Sequence, residues 1–132
     1  ADPVDVDAVL ADEPDYVTFN GIAGQYDQQP LPAEVGDRVR LWVLDAGPNR
    51  ATSFHVVGGQ FDTVYAEGAY LLKDGHGPLD GAGEGGSQTL ALAPGQGGFV
   101  ELTMPEAGHY PVVSHYMVDA ERGAHGIIEV SD

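Results

Sequence analysis

Cysteine is absent from the 132 residues. That excludes disulfides, zinc–thiolate sites, thiol nucleophiles and any copper–thiolate centre inside the chain, and it leaves nitrogen and oxygen as the donors for a metal. Basic residues are scarce: five Lys and Arg stand against 21 Asp and Glu, a net charge of −16. Such a surface repels phosphate backbones and anionic lipids, so nucleic acid and membranes are set aside as partners. The acid is spread along the chain rather than gathered in a tail, as on a solubilising surface. No apolar run approaches the roughly 20 residues of a membrane-spanning helix, and no signal-peptide pattern opens the chain.

What is present points to one β domain. The 42% of apolar residues suffices for a single core in a chain of this length. Residues 1–14 (ADPVDVDAVLADEP) are acidic, carry two prolines and read as a leader or interdomain linker, with the domain proper at 15–132. From Asp15 onward, short runs of Val, Tyr, Phe and Thr are punctuated by Gly and Pro, which predicts strands at 16–20, 38–45, 53–57, 62–67, 88–92, 98–103, 109–114 and 126–130. Arg38, Arg40 and Trp42 alternate with Val39, Leu41 and Val43, the pattern of a strand with one face in the core. The fold class that follows is all-β, a Greek-key β-sandwich. Residues 72–87 (LKDGHGPLDGAGEGGS) are glycine-rich and read as a surface loop with a solvated His76; residues 117–122 suit one short helical turn.

Gly108, Tyr110, Val112 and Ser114 recur at a period of two and resemble the Gly-x-Tyr-x-x-x-Cys strand that carries the copper cysteine in cupredoxins; Arg122-Gly-Ala-His-Gly-Ile-Ile-Glu-Val130 resembles the cupredoxin ending. Ser114 occupies the cysteine position, so the resemblance implies a cupredoxin-like domain with no type 1 copper site of its own, since a hydroxyl does not replace a soft thiolate. A trinuclear copper cluster needs a His-x-His pair on the earlier strand, where His55 is followed by Val56 and Val57. Single histidines at 55 and 115 instead resemble the second, C-terminal domain of copper nitrite reductases and of two-domain multicopper oxidases. Val17-Thr-Phe-Asn-Gly21, Val35-Gly-Asp-Arg-Val-Arg40, Ser53-Phe-His-Val56, Val64-Tyr-Ala-Glu-Gly68 and Pro94-Gly-Gln-Gly-Gly98 extend the likeness over roughly residues 15–130.

Carried over, the resemblance makes His115 a type 2 copper ligand at a site shared with another domain or subunit. It makes His55 the histidine that exchanges protons with a small-molecule substrate, and Gln88-Thr89 the counterpart of the pair that orients it. The implied partner is an N-terminal domain with type 1 copper, in a homotrimer that closes the site; an extracytoplasmic location, periplasmic or secreted, is expected. Read from the residues alone, the alternatives are a free-standing copper-binding module and a purely structural β-sandwich. On that reading His55 is a hydrogen-bonded core histidine, and His109 and His115 share a strand face by parity as an adventitious metal pair. His125 serves packing or hydrogen bonding, Met117 is core, and Pro111 marks an edge or a bulge.

Overall fold

The computed structural model describes residues 3–77 and 85–132. Among them are nine strands: β1 Leu31–Glu34, β2 Arg38–Leu44, β3 Thr52–Val56, β4 Thr63–Ala66, β5 Ala69–Leu72, β6 Thr89–Leu92, β7 Gly97–Thr103, β8 Gly108–Ser114 and β9 His125–Ser131. They form two sheets, ordered β1-β9-β8-β3-β6 and β2-β7-β4-β5, which is the expected sandwich. Phe54, Phe61, Leu90, Val100, Leu102, Met104 and Ile128 fill the space between the sheets, each almost without solvent contact. Three short helices, α1 Val6–Ala11, α2 Gln25–Gln28 and α3 Met117–Glu121, sit outside that core. No helix among the described residues is long and apolar enough to cross a membrane.

Several expectations are corrected. Residues 16–20 form no strand, only an isolated bridge between Phe19 and Ile22; Phe19 instead lays its ring edge-on to Phe54 at 6.0 Å. The first strand is Leu31–Glu34, which pairs parallel with β9 and tolerates Pro32 because it lies at the sheet edge. Within 72–87, Leu72 is a buried strand end rather than loop, while Lys73 and His76 exchange backbone hydrogen bonds and His76 is exposed; residues 78–84 of that stretch lie outside the described residues. Met117 is not core: it is 52% exposed, because α3 turns Asp119 and Ala120 inward instead. Pro111 is neither at an edge nor at a bulge: it lies in a central strand, and just past the end of β3 Val57 N–H donates to its carbonyl at 2.8 Å, so the proline forfeits only the return bond. In the 1–14 segment, Asp5 caps α1, and Asn49 Nδ2 donates to the Val9 carbonyl at 2.6 Å.

The outer face of the four-stranded sheet carries an ion network centred on Glu101. Glu101 lies opposite both Arg40 and Thr63 in register. Arg40 Nε donates to Glu101 at 2.6 Å, and Arg38 reaches Glu101, Asp62, Asp74 and Thr63. Burial pushes the Glu101 carboxyl up, but the hydrogen bonds and charges of Arg40 and Arg38 outweigh it and hold the group below the usual carboxylate range. A depressed folded-state pKa gives stability that is complete above the unfolded value of about 4.3 and is lost as the pH falls through the folded value. Glu101→Gln is therefore expected to lower stability near neutral pH by about 1–3 kcal/mol and to flatten the loss of stability below about pH 4. Urea denaturation at pH 7 and pH 3.5 checks this; an equal loss at both would rule the linkage out.

Candidate functional site

Strand alternation decides which side chains meet. Phe54 and Val56 of β3 point into the core, so His55 points out of the five-stranded sheet. Direct antiparallel partners share a face, and the register His125–Val113–His55–Thr89 therefore runs as one row across four strands. His115 follows the end of β8, where its N–H donates to the Ser53 carbonyl at 2.7 Å and brings its ring beside His55. The two ring centroids are 5.5 Å apart with planes inclined at 54°. The two histidines singled out from sequence, 60 positions apart, form a pair on an open face.

His55 is half-buried and its Nδ1 lies 2.5 Å from the Gln88 carbonyl oxygen. A carbonyl only accepts, so Nδ1 carries the hydrogen and Nε2 is left as the atom that takes up or releases a proton. Gln88 thus serves through its main chain, while its side chain is exposed. Thr89 stands opposite His55. The carbonyl is fixed from below: Phe61 and Ser87 exchange backbone hydrogen bonds at 2.8 and 2.9 Å, and Ser87 Oγ donates to the Thr89 carbonyl at 2.8 Å.

The other histidines fall elsewhere. His109 lies near the start of β8, six residues or about 20 Å along the strand from His115, and faces Glu129 at 3.4 Å. An intrachain metal pair of His109 and His115 is thereby excluded. His125 Nδ1 meets Asp27 at 2.6 Å, the hydrogen-bonding role expected of it. Ser114 is buried and its hydroxyl accepts from Thr52 Oγ1 at 3.2 Å.

The fit to a metal is partial. His115 is exposed and offers an imidazole nitrogen, a good donor for copper or zinc. Among the described residues no group of three or more His, Cys, Asp or Glu side chains converges on one point. A stable site needs about three or four protein ligands, so this face suits one share of a centre completed by another surface. A cavity of about 1300 Å³ opens beside Trp42, Leu44 and Tyr16 and reaches neither histidine. Sequence reasoning missed the surroundings of His115: Tyr116, Met117 and Val118 are each more than half exposed, three consecutive apolar residues beside the imidazole. A five-residue helix is too short for its periodicity to have signalled which of its residues face out.

No family model matches the chain. A copper-containing nitrite reductase of Neisseria meningitidis serogroup A is 35% identical over 130 residues, which is 97% of this chain and 31% of the relative. A Cu-containing nitrite reductase from Thermus scotoductus SA-01 superimposes with a TM-score of 0.81 at 30% identity over 94% of this chain and 27% of that one. The copper nitrite reductase of Nitrosomonas europaea gives a TM-score of 0.82 at 28% identity over 99% of this chain and 45% of its own. The chain thus spans about a third of the curated relative it matches.

Proposed function

We propose that this chain, which matches the C-terminal cupredoxin domain of the copper-containing nitrite reductases, supplies one ligand and one proton-exchanging histidine to a copper site that it shares with a neighbouring subunit. The observation that carries the reading is the His55–His115 pair, 5.5 Å apart on an open sheet face. His115 would hold a type 2 copper through one ring nitrogen, together with ligands from the preceding domain of another subunit in a homotrimer; cyclic symmetry lets each copy complete the next. Bound copper supplies one-electron chemistry and a Lewis-acid centre for an oxygen of the substrate.

The remaining work falls to the chain's own groups. His55, held by the Gln88 carbonyl, presents Nε2 to a substrate oxygen and delivers or removes a proton there. Thr89, opposite it, borders the same space. Nitrite, whose reduction consumes protons, suits this arrangement as the small-molecule substrate. Ser114 in the cysteine position leaves this domain without type 1 copper, so the electron-delivering centre belongs to the preceding domain, and an extracytoplasmic location goes with that assembly. The isolated domain is then catalytically incomplete.

Copper titration followed by EPR tests the reading on the chain assembled with the preceding domain, with and without His115→Ala. The expected result is a non-blue copper signal, with a copper affinity that falls in the variant by at least the ten- to hundredfold that loss of even an outer partner of a metal ligand costs, and no stoichiometric copper on the chain alone. Identical signals in the two proteins would remove His115 from the metal site.

A further inference from the structure

We infer that Arg50 is a positioning residue for the His55–His115 pair: its guanidinium ties the segment leading into the His55 strand to the helix that follows His115. The inference rests on reading those two imidazoles as a site.

Arg50 stands two residues before β3, and Asp119 sits in α3, four residues after His115. Arg50 Nη1 donates to Asp119 Oδ1 at 2.6 Å. Asp119 is 2% exposed, so its carboxylate is taken out of water and depends on that partner. α3 is also held by buried Ala120 and by the bonds from Ala124 N–H to the Asp119 carbonyl and from Val17 N–H to the Arg122 carbonyl, but the Asp119 side chain itself is held by the bond to Arg50. The helix is five residues long, lacks a side-chain N-cap and turns Met117 and Val118 to solvent. A helix of that length is not stable by itself. The backbone of His115 is pinned on its upstream side, by its own N–H to Ser53 and by the bond from Ser114 N–H to the Ala124 carbonyl. Downstream, 116–119 is a turn closed by the Asp119 and Ala120 N–H bonds to the Tyr116 carbonyl, and the Arg50–Asp119 bond ties that turn to the approach of β3, and with it the direction in which the His115 ring leans towards His55.

The same guanidinium has a second hold. Nε donates to Asp12 Oδ1 at 3.1 Å and Nη2 to the Asp12 carbonyl at 3.4 Å, just beyond α1. The planar fork of arginine bonds two segments at once, which a lysine ammonium on a flexible stem does not reproduce with the same geometry. Arg50 therefore joins the N-terminal segment, the β3 approach and the His115 helix at one point.

The test is made on the chain without metal, by the NMR cross-peak between the ring protons of His55 and His115. In Arg50→Ala/Asp119→Asn, which strands no buried charge, the cross-peak is expected to fall at least about threefold while the amide spectrum of the two sheets is kept. Arg50→Lys, which preserves a charged bond to Asp119, is expected to restore most of it. Arg50→Gln, with one amide donor and no fork, is expected to fall between them and decides the question if the double variant does not fold. A cross-peak of wild-type intensity in a folded double variant, or in Arg50→Gln, overturns the inference. Copper titration of the assembly with the preceding domain separates this from the metal reading. A wild-type chain that shows the cross-peak and loses it in the variant, but whose assembly titrates identically with and without His115→Ala, upholds the positioning role and ends the metal role.

Discussion

If the chain serves the proposed copper oxidoreductase, replacing His55 with alanine is expected to lower turnover of the assembled protein roughly 10²- to 10⁴-fold, the usual contribution of a positioned general acid or base, while its copper content is unchanged. That range corresponds to about 2.7–5.5 kcal/mol of barrier. Copper content is expected to hold because His55 is not the metal ligand in this reading: its Nδ1 is committed to the Gln88 carbonyl and its ring stands 5.5 Å, centroid to centroid, from that of His115. The rate is expected to fall because no neighbouring side chain replaces it; Thr89 beside it has a hydroxyl, which does not change charge over the pH range of a cell. Steady-state rates, with copper quantified in each sample, decide the matter; turnover within a few-fold of wild type would show that protons arrive by another route. By contrast, Gln88→Ala is not expected to reproduce the defect, because its main-chain carbonyl survives the substitution.

The elements that were legible in the sequence are those whose side chains alternate against a core. Arg38–Leu44 follows its expected pattern residue by residue, because the two strand faces meet different surroundings: Val39, Leu41 and Val43 pack inward while Arg38, Arg40 and Trp42 face out. His55 and His115 were legible for a different reason. Their positions in two recognisable strand motifs carried them, and the register of β3 with β8 turned that likeness into proximity. Leu31–Glu34 was not legible because it is four residues with an internal proline, and what makes it a strand is a parallel partner almost a hundred residues away. The run at 16–20 fails in the opposite way: Tyr, Val, Thr and Phe favour a strand, but no neighbour offers it a ladder. Gln88 shows a third limit. Its contribution is a carbonyl oxygen, which every residue has, so side-chain chemistry could not announce it. Arg50 and Asp119, 69 positions apart, were invisible as a pair for the same reason that β1 was: only the closed fold brings them together.

Phe61→Ala is expected to destabilise the domain by about 3–5 kcal/mol, seen as a melting temperature lower by roughly 10–20 °C. Phe61 is 1% exposed and stacks on Phe54 with ring centroids 6.5 Å apart and planes within 12°. Removing the ring deletes a large apolar area and leaves a hole that the surrounding β-branched and aromatic side chains fill only in part. Against a total stability of about 5–15 kcal/mol for a typical domain, such a loss approaches the threshold of unfolding. The consequence extends to the site, because Phe61 also makes the paired backbone bonds to Ser87 that place the Gln88 carbonyl under His55. At temperatures where the variant is still folded, the hydrogen exchange of the Phe61 and Ser87 amides should therefore accelerate more than that of β7, and His55 should lose its fixed tautomer. Phe61→Leu, which keeps most of the volume, is expected to cost much less and to leave His55 in place. Calorimetry with imidazole ¹⁵N shifts on the two variants checks both halves; a destabilised Phe61→Ala whose His55 shifts match wild type would show that the core and His55 are held independently.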